Sequence, residues 1–278
     1  MKKKQIVKLC LVQLNAGQDY QKNFTDFRKY LESAAENDVD LIVTPEVTNL
    51  ITGDHLQRLQ CAAKDENDVF IAFARDLAKT KKVSILLGSL ACKSRNSEKC
   101  LNRSIFINSE GDIEATYDKI HMFDIKLNEN EVYQESKYYE PGTKISVVDA
   151  AFGKIGLSIC YDIRFPSLYT ALATAGAEII TVPSAFTQLT GEMHWEVLLR
   201  ARAIETGSFI VAPAQVGKHG NLKRVSYGHS MVVEPGGKVL LNLGDRPGIG
   251  LVEIDTSKCL KYREKIPNLK NIINFSLV

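Results

Sequence analysis

The chain has 278 residues, of which 45% are hydrophobic and 24% charged, and a formal net charge of +2. This composition is typical of a globular protein that buries a sizeable core without disulfides or metals. The nearly balanced charge gives no electrostatic reason to expect nucleic acid or an anionic membrane as a partner. No apolar stretch has the length of a membrane span or the pattern of a secretory signal, so we expect a cytoplasmic protein. The six cysteines are scattered without a close pair, which argues against a zinc site or a disulfide framework.

The first half of the chain alternates between predicted strands and helices. Apolar residues recur at helical spacing after the first strand, and a proline ends the second strand. The predicted elements here are strands over 6–14, 40–44 and 83–91, helices over 24–35 and 69–79, and a hairpin of 105–107 with 113–117.

The second half continues this mixture, and Pro166 suits the first turn of a helix. The predicted elements here are hairpins of 145–148 with 155–159 and 231–233 with 239–241, strands over 178–182 and 209–214, and helices over 166–175 and 195–206. Alternating strands and helices with interspersed hairpins predict an α/β or layered α+β architecture. We expect one domain over residues 1–278, with a core of about 6–256 and a carboxyl-terminal helix and tail over 257–278.

Cys160 is the first candidate for chemistry because it ends an apolar run and precedes a predicted helix. A strand-to-helix turn of this kind holds a nucleophile exposed in the nucleophile elbows of hydrolases. The thiol would need a base or a cation, since the reference pKa of cysteine is about 8.5. On this local pattern alone, a buried structural cysteine is the commoner interpretation.

Two charged residues also follow predicted strands. Glu46 comes directly after Pro45, a position where α/β proteins often place groups that face a cleft, and its carboxylate could move a proton. Lys119 lies just beyond the first hairpin, and its ammonium could stabilise a developing oxyanion. Taken singly, either residue would more often be a solvated surface charge.

An ordered set of motifs links these three residues. The sequence reads Val-Thr-Pro-Glu over 43–46, Asp-Lys-Ile-His over 118–121 and Cys-Tyr-Asp-Ile-Arg-Phe-Pro over 160–166. In that order the set resembles the nitrilase, or carbon–nitrogen hydrolase, superfamily, and the resemblance covers nearly the whole chain. The segments 183–191, 194–196, 200–205 and 227–231 are similar to one branch of it, which holds the deaminated-glutathione amidases and the omega-amidases.

The resemblance implies a four-layer αββα sandwich and a cysteine-dependent amidase that uses no metal or organic cofactor. The family's catalytic residues would fall on Glu46, Lys119 and Cys160, with a second glutamate at Glu135. Glu46 would accept the thiol proton, and Lys119 and the backbone N–H of Tyr161 would stabilise the oxyanion. A thioester would then form and be hydrolysed, while Glu135 would orient Lys119 or assist the second step.

Substrate-binding residues are predicted by the same resemblance. The guanidinium of Arg164 could hold a substrate carboxylate bidentately, or Arg164 could form a structural ion pair with Asp162 or Glu205. The predicted substrate-binding residues are Tyr161, Arg164, Phe186 and Thr187.

The leading functional prediction is hydrolysis of a small carboxylate-bearing amide, foremost deaminated glutathione, to an acid and ammonia. The alternatives are an omega-amidase acting on 2-oxoglutaramate or 2-oxosuccinamate, an N-carbamoyl-amino-acid amidohydrolase, and a catalytically silent binding or scaffold protein. The expected partner is a small-molecule amide, without nucleic acid or membrane, and the resemblance implies a homodimer or a higher homo-oligomer. The apolar tail 271–278 is expected to pack on a neighbouring subunit or on the chain's own core.

Overall fold

The computed structural model describes residues 4–64, 68–95, 97–129, 131–273 and 276. The strands are β1 (Ile6–Gln13), β2 (Leu41–Val43), β3 (Ser84–Lys93), β4 (Cys100–Ile107), β5 (Ile113–Asp118), β6 (Asp124–Asn128), β7 (Glu131–Gln134), β8 (Ser146–Ala150), β9 (Gly153–Leu157), β10 (Ile179–Thr181), β11 (Phe209–Ala212), β12 (Val216–Lys218), β13 (Val225–Tyr227), β14 (Met231–Val233), β15 (Val239–Asn242) and β16 (Gly248–Asp255). The α-helices are α1 (Tyr20–Ala35), α2 (His55–Cys61), α3 (Val69–Lys81), α4 (Pro166–Thr174), α5 (Gln188–Thr206) and α6 (Ser257–Lys265). Short 3₁₀ turns span Glu135–Lys137 and Cys160–Arg164.

Two six-stranded sheets built to the same plan form the centre of the described part of the chain. The first has the order β16-β1-β2-β3-β4-β5, and the second has the order β15-β14-β11-β10-β9-β8. In each sheet three parallel strands lie side by side, β1-β2-β3 in the first and β9-β10-β11 in the second, with antiparallel strands on both sides. Parallel neighbours need crossover connections, and α1, α3, α4 and α5 lie in those connections.

The two sheets face each other, and helices cover their outer faces. Along β1, Leu9 and Leu11 belong to a buried cluster shared with the second sheet, whereas Cys10 and Val12 belong to a cluster shared with α1 and α3. This alternation is the period of two expected for a strand buried on both faces. Helices α4 and α5 pack on the second sheet, for example through Trp195. The predicted four-layer αββα sandwich is therefore confirmed.

The predicted elements differ from the observed ones chiefly where polar or glycine-containing segments hide a helix or a strand. Helix α5 begins at Gln188, earlier than the predicted residue 195. The first turns contain Gly191, and because glycine is a poor helix former, the sequence did not indicate a helix there. An added Cβ at Gly191 would lie 2.4 Å from the ring of Tyr227, so the glycine lets α5 approach β13 closely. Helix α2, the β6–β7 and β12–β13 pairs and the edge strand β16 were not predicted.

Within the described ranges, no helix combines the length and the apolar character needed to cross a membrane. Ile272 and Ile273 in the tail are 57% and 76% exposed, so these two residues do not pack on the chain's own core. Residues 274, 275, 277 and 278 lie outside the described residues, and packing of the tail on a neighbouring subunit stays a prediction.

Candidate active site

The predicted catalytic residues come from strand ends that meet between the two sheets. Glu46 lies just beyond β2, Lys119 directly follows β5, and Cys160 starts the 3₁₀ turn after β9. Gly88 of β3 allows this convergence, because an added Cβ there would lie 1.8 Å from the Thr44 carbonyl oxygen and 2.5 Å from Pro183 Cβ. The first sheet can thus bring the segment that carries Glu46 close to the second sheet.

Cys160 occupies a strained turn. Its φ of +47° lies in the left-handed region, and Val47, the residue after Glu46, has a φ of +45°. Such conformations are unfavourable for residues with a Cβ, above all for a β-branched valine, and they concentrate at functional sites. The strained turn expected of a nucleophile elbow is therefore present, but Cys160 is only 6% exposed, so the turn holds the side chain inside the protein.

Asp162 ties this turn to the segment that carries Lys119. One carboxylate oxygen accepts hydrogen bonds from the Ile159 N–H at 2.8 Å and the Tyr117 hydroxyl at 2.7 Å. The other accepts the His121 N–H at 3.1 Å and lies 2.7 Å from His121 Nδ1. Asp162 thereby connects the end of β5 to the turn at Cys160.

A buried ionic cluster surrounds Lys119. Its ammonium lies 2.9 Å from Glu46 Oε1 and 2.8 Å from Glu135 Oε2. The Asn102 amide nitrogen donates to both glutamates, at 2.9 Å to Glu46 and 3.1 Å to Glu135. The second oxygen of Glu46 accepts the Ala185 N–H at 2.7 Å. These contacts hold both carboxylates around one ammonium.

The protonation states follow from this environment. Burial would raise the pKa of the Glu46 carboxyl, but attraction to Lys119 and Arg224 and hydrogen bonds from Lys119 and Cys160 together outweigh it and hold the pKa below its ordinary value. Burial would lower the pKa of the Lys119 ammonium, but Glu135 and Glu46 together raise it well above its ordinary value. Burial, and then the charge of Glu46, raises the pKa of the Cys160 thiol. The resting site therefore holds a carboxylate, an ammonium and a neutral thiol.

A cavity of about 510 Å³ opens above this cluster. This volume suits a small-molecule ligand. The predicted residues that line it are Glu46, Lys119, Glu135, Cys160, Tyr161, Phe186 and Thr187.

Arg164 is placed differently from the other predicted residues and is absent from the described residues that line the cavity. Its guanidinium carbon lies 5.4 Å from the ring centroid of Phe186, and one of its nitrogens lies 3.3 Å from His194 Nδ1. In the described part of the chain, Arg164 forms an ion pair with neither Asp162 nor Glu205. Asp162 instead bonds to the residues named above, and Glu205 pairs with Arg202 at 2.6 Å.

Sequence reasoning missed several residues of the cavity. Asn102 lies on the largely buried strand β4, but Arg103 and Ser104 follow it directly, so the sequence contains no clear signal that its amide faces the site. Arg58 of α2 and Arg224 of the loop before β13 also line the cavity, and neither lies in a motif that the sequence analysis used.

The carbon–nitrogen hydrolase family profile matches residues 8–264 of the chain. The chain therefore belongs to the carbon–nitrogen hydrolase family, and the predicted class of enzyme, an amidase of the nitrilase superfamily, is confirmed.

The chain is similar over nearly its whole length to proteins called deaminated glutathione amidase. It is 37% identical to the one from Yersinia enterocolitica over 95% of this chain and 92% of the relative. It is 38% identical to the one from Dictyostelium discoideum, over 97% and 96% of the two chains, and 38% identical to the one from Homo sapiens, over 94% and 80%.

Crystal structures of other proteins share the fold, among them the following two. That of the C. elegans NitFhit protein superposes with a TM-score of 0.91 at 35% identity and covers 98% of this chain. This chain spans 66% of that longer protein. That of Saccharomyces cerevisiae Nit3, a member of branch 10 of the nitrilase superfamily, superposes with a TM-score of 0.85 at 29% identity, over 95% and 96% of the two chains.

Proposed function

We propose that this chain hydrolyses a small carboxylate-bearing amide through a Cys160 thioester, and that deaminated glutathione is its first candidate substrate. The observation that carries the proposal is the buried cluster in which Lys119 joins Glu46 and Glu135 beside a protonated thiol. The names of the amidases at 37–38% identity support the choice of substrate.

The first half of the reaction forms the thioester. Because the pKa of the Cys160 thiol is raised, the sulfur needs a base when it attacks the amide carbonyl. Glu46 is that base, since its carboxylate is charged and lies against the thiol. The positive charge of Lys119, held in a buried site, stabilises the oxyanion, and the backbone N–H of Tyr161 adds a donor. Protonated Glu46 then gives its proton to the departing nitrogen.

The second half hydrolyses the thioester. Glu46, charged again, takes a proton from a water molecule that attacks the acyl carbon. The C–S bond then breaks, the acid product leaves, and the Cys160 thiolate takes the proton back from Glu46. Glu135 contacts Lys119 with both carboxylate oxygens, at 3.0 and 2.8 Å, and so positions the ammonium through both steps.

The amine product depends on the amide. A primary amide such as 2-oxoglutaramate releases ammonia. In glutathione the γ-carboxyl group of the glutamyl residue is joined to the nitrogen of cysteine. Cleavage of that bond in deaminated glutathione therefore yields 2-oxoglutarate and cysteinylglycine, so the ammonia predicted for this substrate from the sequence was wrong. Ammonia is expected only from substrates that carry a –CONH2 group.

We also propose that the chain forms homo-oligomers through α5. Exposed apolar residues recur on this helix at intervals of four, at Leu189, Met193 and Val197, which places them on one face. An exposed apolar stripe of this kind is typical of a surface that a partner covers. A cytoplasmic location is proposed because all six cysteines, which lie in the described ranges, are free thiols.

The test measures cysteinylglycine release from deaminated glutathione and ammonia release from 2-oxoglutaramate and an N-carbamoyl amino acid. Wild type is compared with Cys160→Ala, and Cys61→Ala is the control because that thiol does not line the cavity. We expect turnover of deaminated glutathione that Cys160→Ala abolishes and Cys61→Ala retains. If only the N-carbamoyl compound is turned over, deaminated glutathione is not the substrate and an N-carbamoyl amino acid takes its place. A folded wild-type protein that is inactive on all three compounds would favour a scaffold role.

A further inference from the structure

The cavity carries more positive charge than its catalytic cluster uses. Among the described lining residues, the carboxylates are Glu46 and Glu135, and both contact Lys119. Three further cations line the same cavity, Arg58, Lys223 and Arg224. Lys119 balances the charge of one of the two carboxylates, and Arg224 also attracts Glu46, so the described lining as a whole keeps a surplus of two positive charges for a ligand.

Arg58 is the most constrained of the three. Its side chain is 7% exposed, and one terminal nitrogen, Nη2, donates to the Thr52 carbonyl. The other, Nη1, is buried and has no hydrogen-bond partner among the residues that the structure describes. The guanidinium carbon lies 4.6 Å from the ring centroid of Tyr138 and 5.5 Å from that of Tyr139. Two rings thus hold a buried charged donor that lacks an acceptor, which native structures rarely leave unsatisfied.

Arg224 repeats this arrangement beside the catalytic cluster. Its Nη2 donates to the carbonyl of Ala185, the residue whose N–H bonds to Glu46. Its Nε is buried and, within the described ranges, has no partner either. The guanidinium carbon lies 5.9 Å from the ring centroid of Tyr133. One hydrogen-bonded nitrogen therefore anchors the side chain, and another is left for a ligand.

We propose that Arg58 and Arg224 form an anion subsite that binds a substrate carboxylate remote from the bond that is cleaved. This inference rests on the proposed amidase function and gives these two arginines the carboxylate recognition that the sequence predicted for Arg164. A guanidinium is always charged and donates in a fixed fork that matches a carboxylate. The side chains are already held by the Thr52 and Ala185 carbonyls, so little side-chain freedom is lost on binding.

The test measures binding by calorimetry in a Cys160→Ala background, so that turnover is not needed. The ligands are deaminated glutathione and two derivatives of it that each lack one carboxylate. One derivative is the amide at the glycine end, and the other is the methyl ester of the 2-oxoacid. Arg58→Met and Arg224→Met are compared with Arg28→Met, an exposed arginine outside the cavity. Arg58→Lys and Arg224→Lys keep the charge without the fork, and melting temperatures show that each variant is folded.

We expect each methionine variant in the cavity to raise the Kd of deaminated glutathione by about 10- to 100-fold. For the analogue that lacks the bound carboxylate, the same variants should not raise the Kd, and this analogue identifies which carboxylate the subsite binds. Arg28→Met should leave the Kd of all three ligands unchanged. Unchanged Kd values, or an equal increase for all three ligands, would overturn the subsite. A wild-type enzyme without turnover whose Cys160→Ala form still binds in an arginine-dependent manner would refute the proposed function alone. Turnover with arginine-independent binding would refute the subsite alone.

Discussion

The cavity has two regions of different construction. The cavity floor consists of Glu46, Asn102, Lys119 and Cys160, which are buried and come from strands or strand ends of both sheets. The cavity wall consists of the β6–β7 hairpin, the turn Glu135–Lys137, Tyr138, Tyr139, Arg58 and residues 222–224. On the floor the Glu46 carboxylate bonds to the Lys119 ammonium, which Glu135 of the wall also contacts, whereas the wall contains arginine nitrogens that, within the described residues, have no partner. The difference indicates that core packing positions the reacting groups, while connecting segments select the ligand.

Among the groups that surround Cys160, replacing the base on the floor should lower activity most. We expect Glu46→Gln to lower kcat/KM by about 10²- to 10⁴-fold, because the buried thiol then has no base.

In the wild type, the lowered pKa of Glu46 keeps its carboxylate charged at neutral pH, so activity should fall on the acid side only below the ordinary glutamate value of 4.5. The raised pKa of the Cys160 thiol places its ionisation above the ordinary 9.0. A pH profile of kcat/KM checks both statements, and an acidic limb centred near pH 6 would contradict this assignment.

Replacing Lys119, the cation of the floor, should lower activity somewhat less than replacing Glu46 does. We expect Lys119→Met to lower kcat by about 10²- to 10³-fold, since one oxyanion-stabilising group is lost. The same change leaves the buried Glu46 carboxylate and the partly buried Glu135 carboxylate without their ammonium, so the free energy of unfolding should fall as well. Kinetics and urea unfolding are compared with Lys22→Met, an exposed lysine on α1. A folded Lys119→Met protein with nearly normal kcat would remove Lys119 from the catalytic set.

A change in the wall should have the smallest effect. Tyr133 packs against Phe123 at a ring-centroid distance of 5.2 Å and faces the guanidinium of Arg224. We expect Tyr133→Ala to lower kcat/KM by about 2- to 10-fold, mainly through KM, because the ring orients a binding group. Steady-state kinetics beside Tyr30→Ala, a tyrosine of α1, measure the effect. If Tyr133→Ala lowers kcat as much as Lys119→Met does, the wall takes part in catalysis as well as in binding, and the proposed separation of the two regions is wrong.

The sequence by itself determined the class of protein and the sandwich. Glu46, Lys119 and Cys160 could be selected because each follows a predicted strand and because their motifs occur in a recognisable order. Strand ends are local features, and the apolar runs before them are readable from periodicity. Glu135 was selected through the same resemblance, and the structure brings all four residues into one cluster.

Only the tertiary structure decided which residues surround that cluster. Arg58 and Arg224 are far apart in the chain, and no local pattern shows that α2 and the loop before β13 meet at one cavity. Arg164 follows the nucleophile by four residues, yet its side chain packs over Phe186 and stays out of the cavity lining described here. Helix α5 was predicted too short because the reason for Gly191, its contact with Tyr227, lies in another element. Periodicity records which face of an element is buried, whereas contacts between distant segments depend on how the two sheets pack, and a single sequence does not contain that geometry in any local pattern.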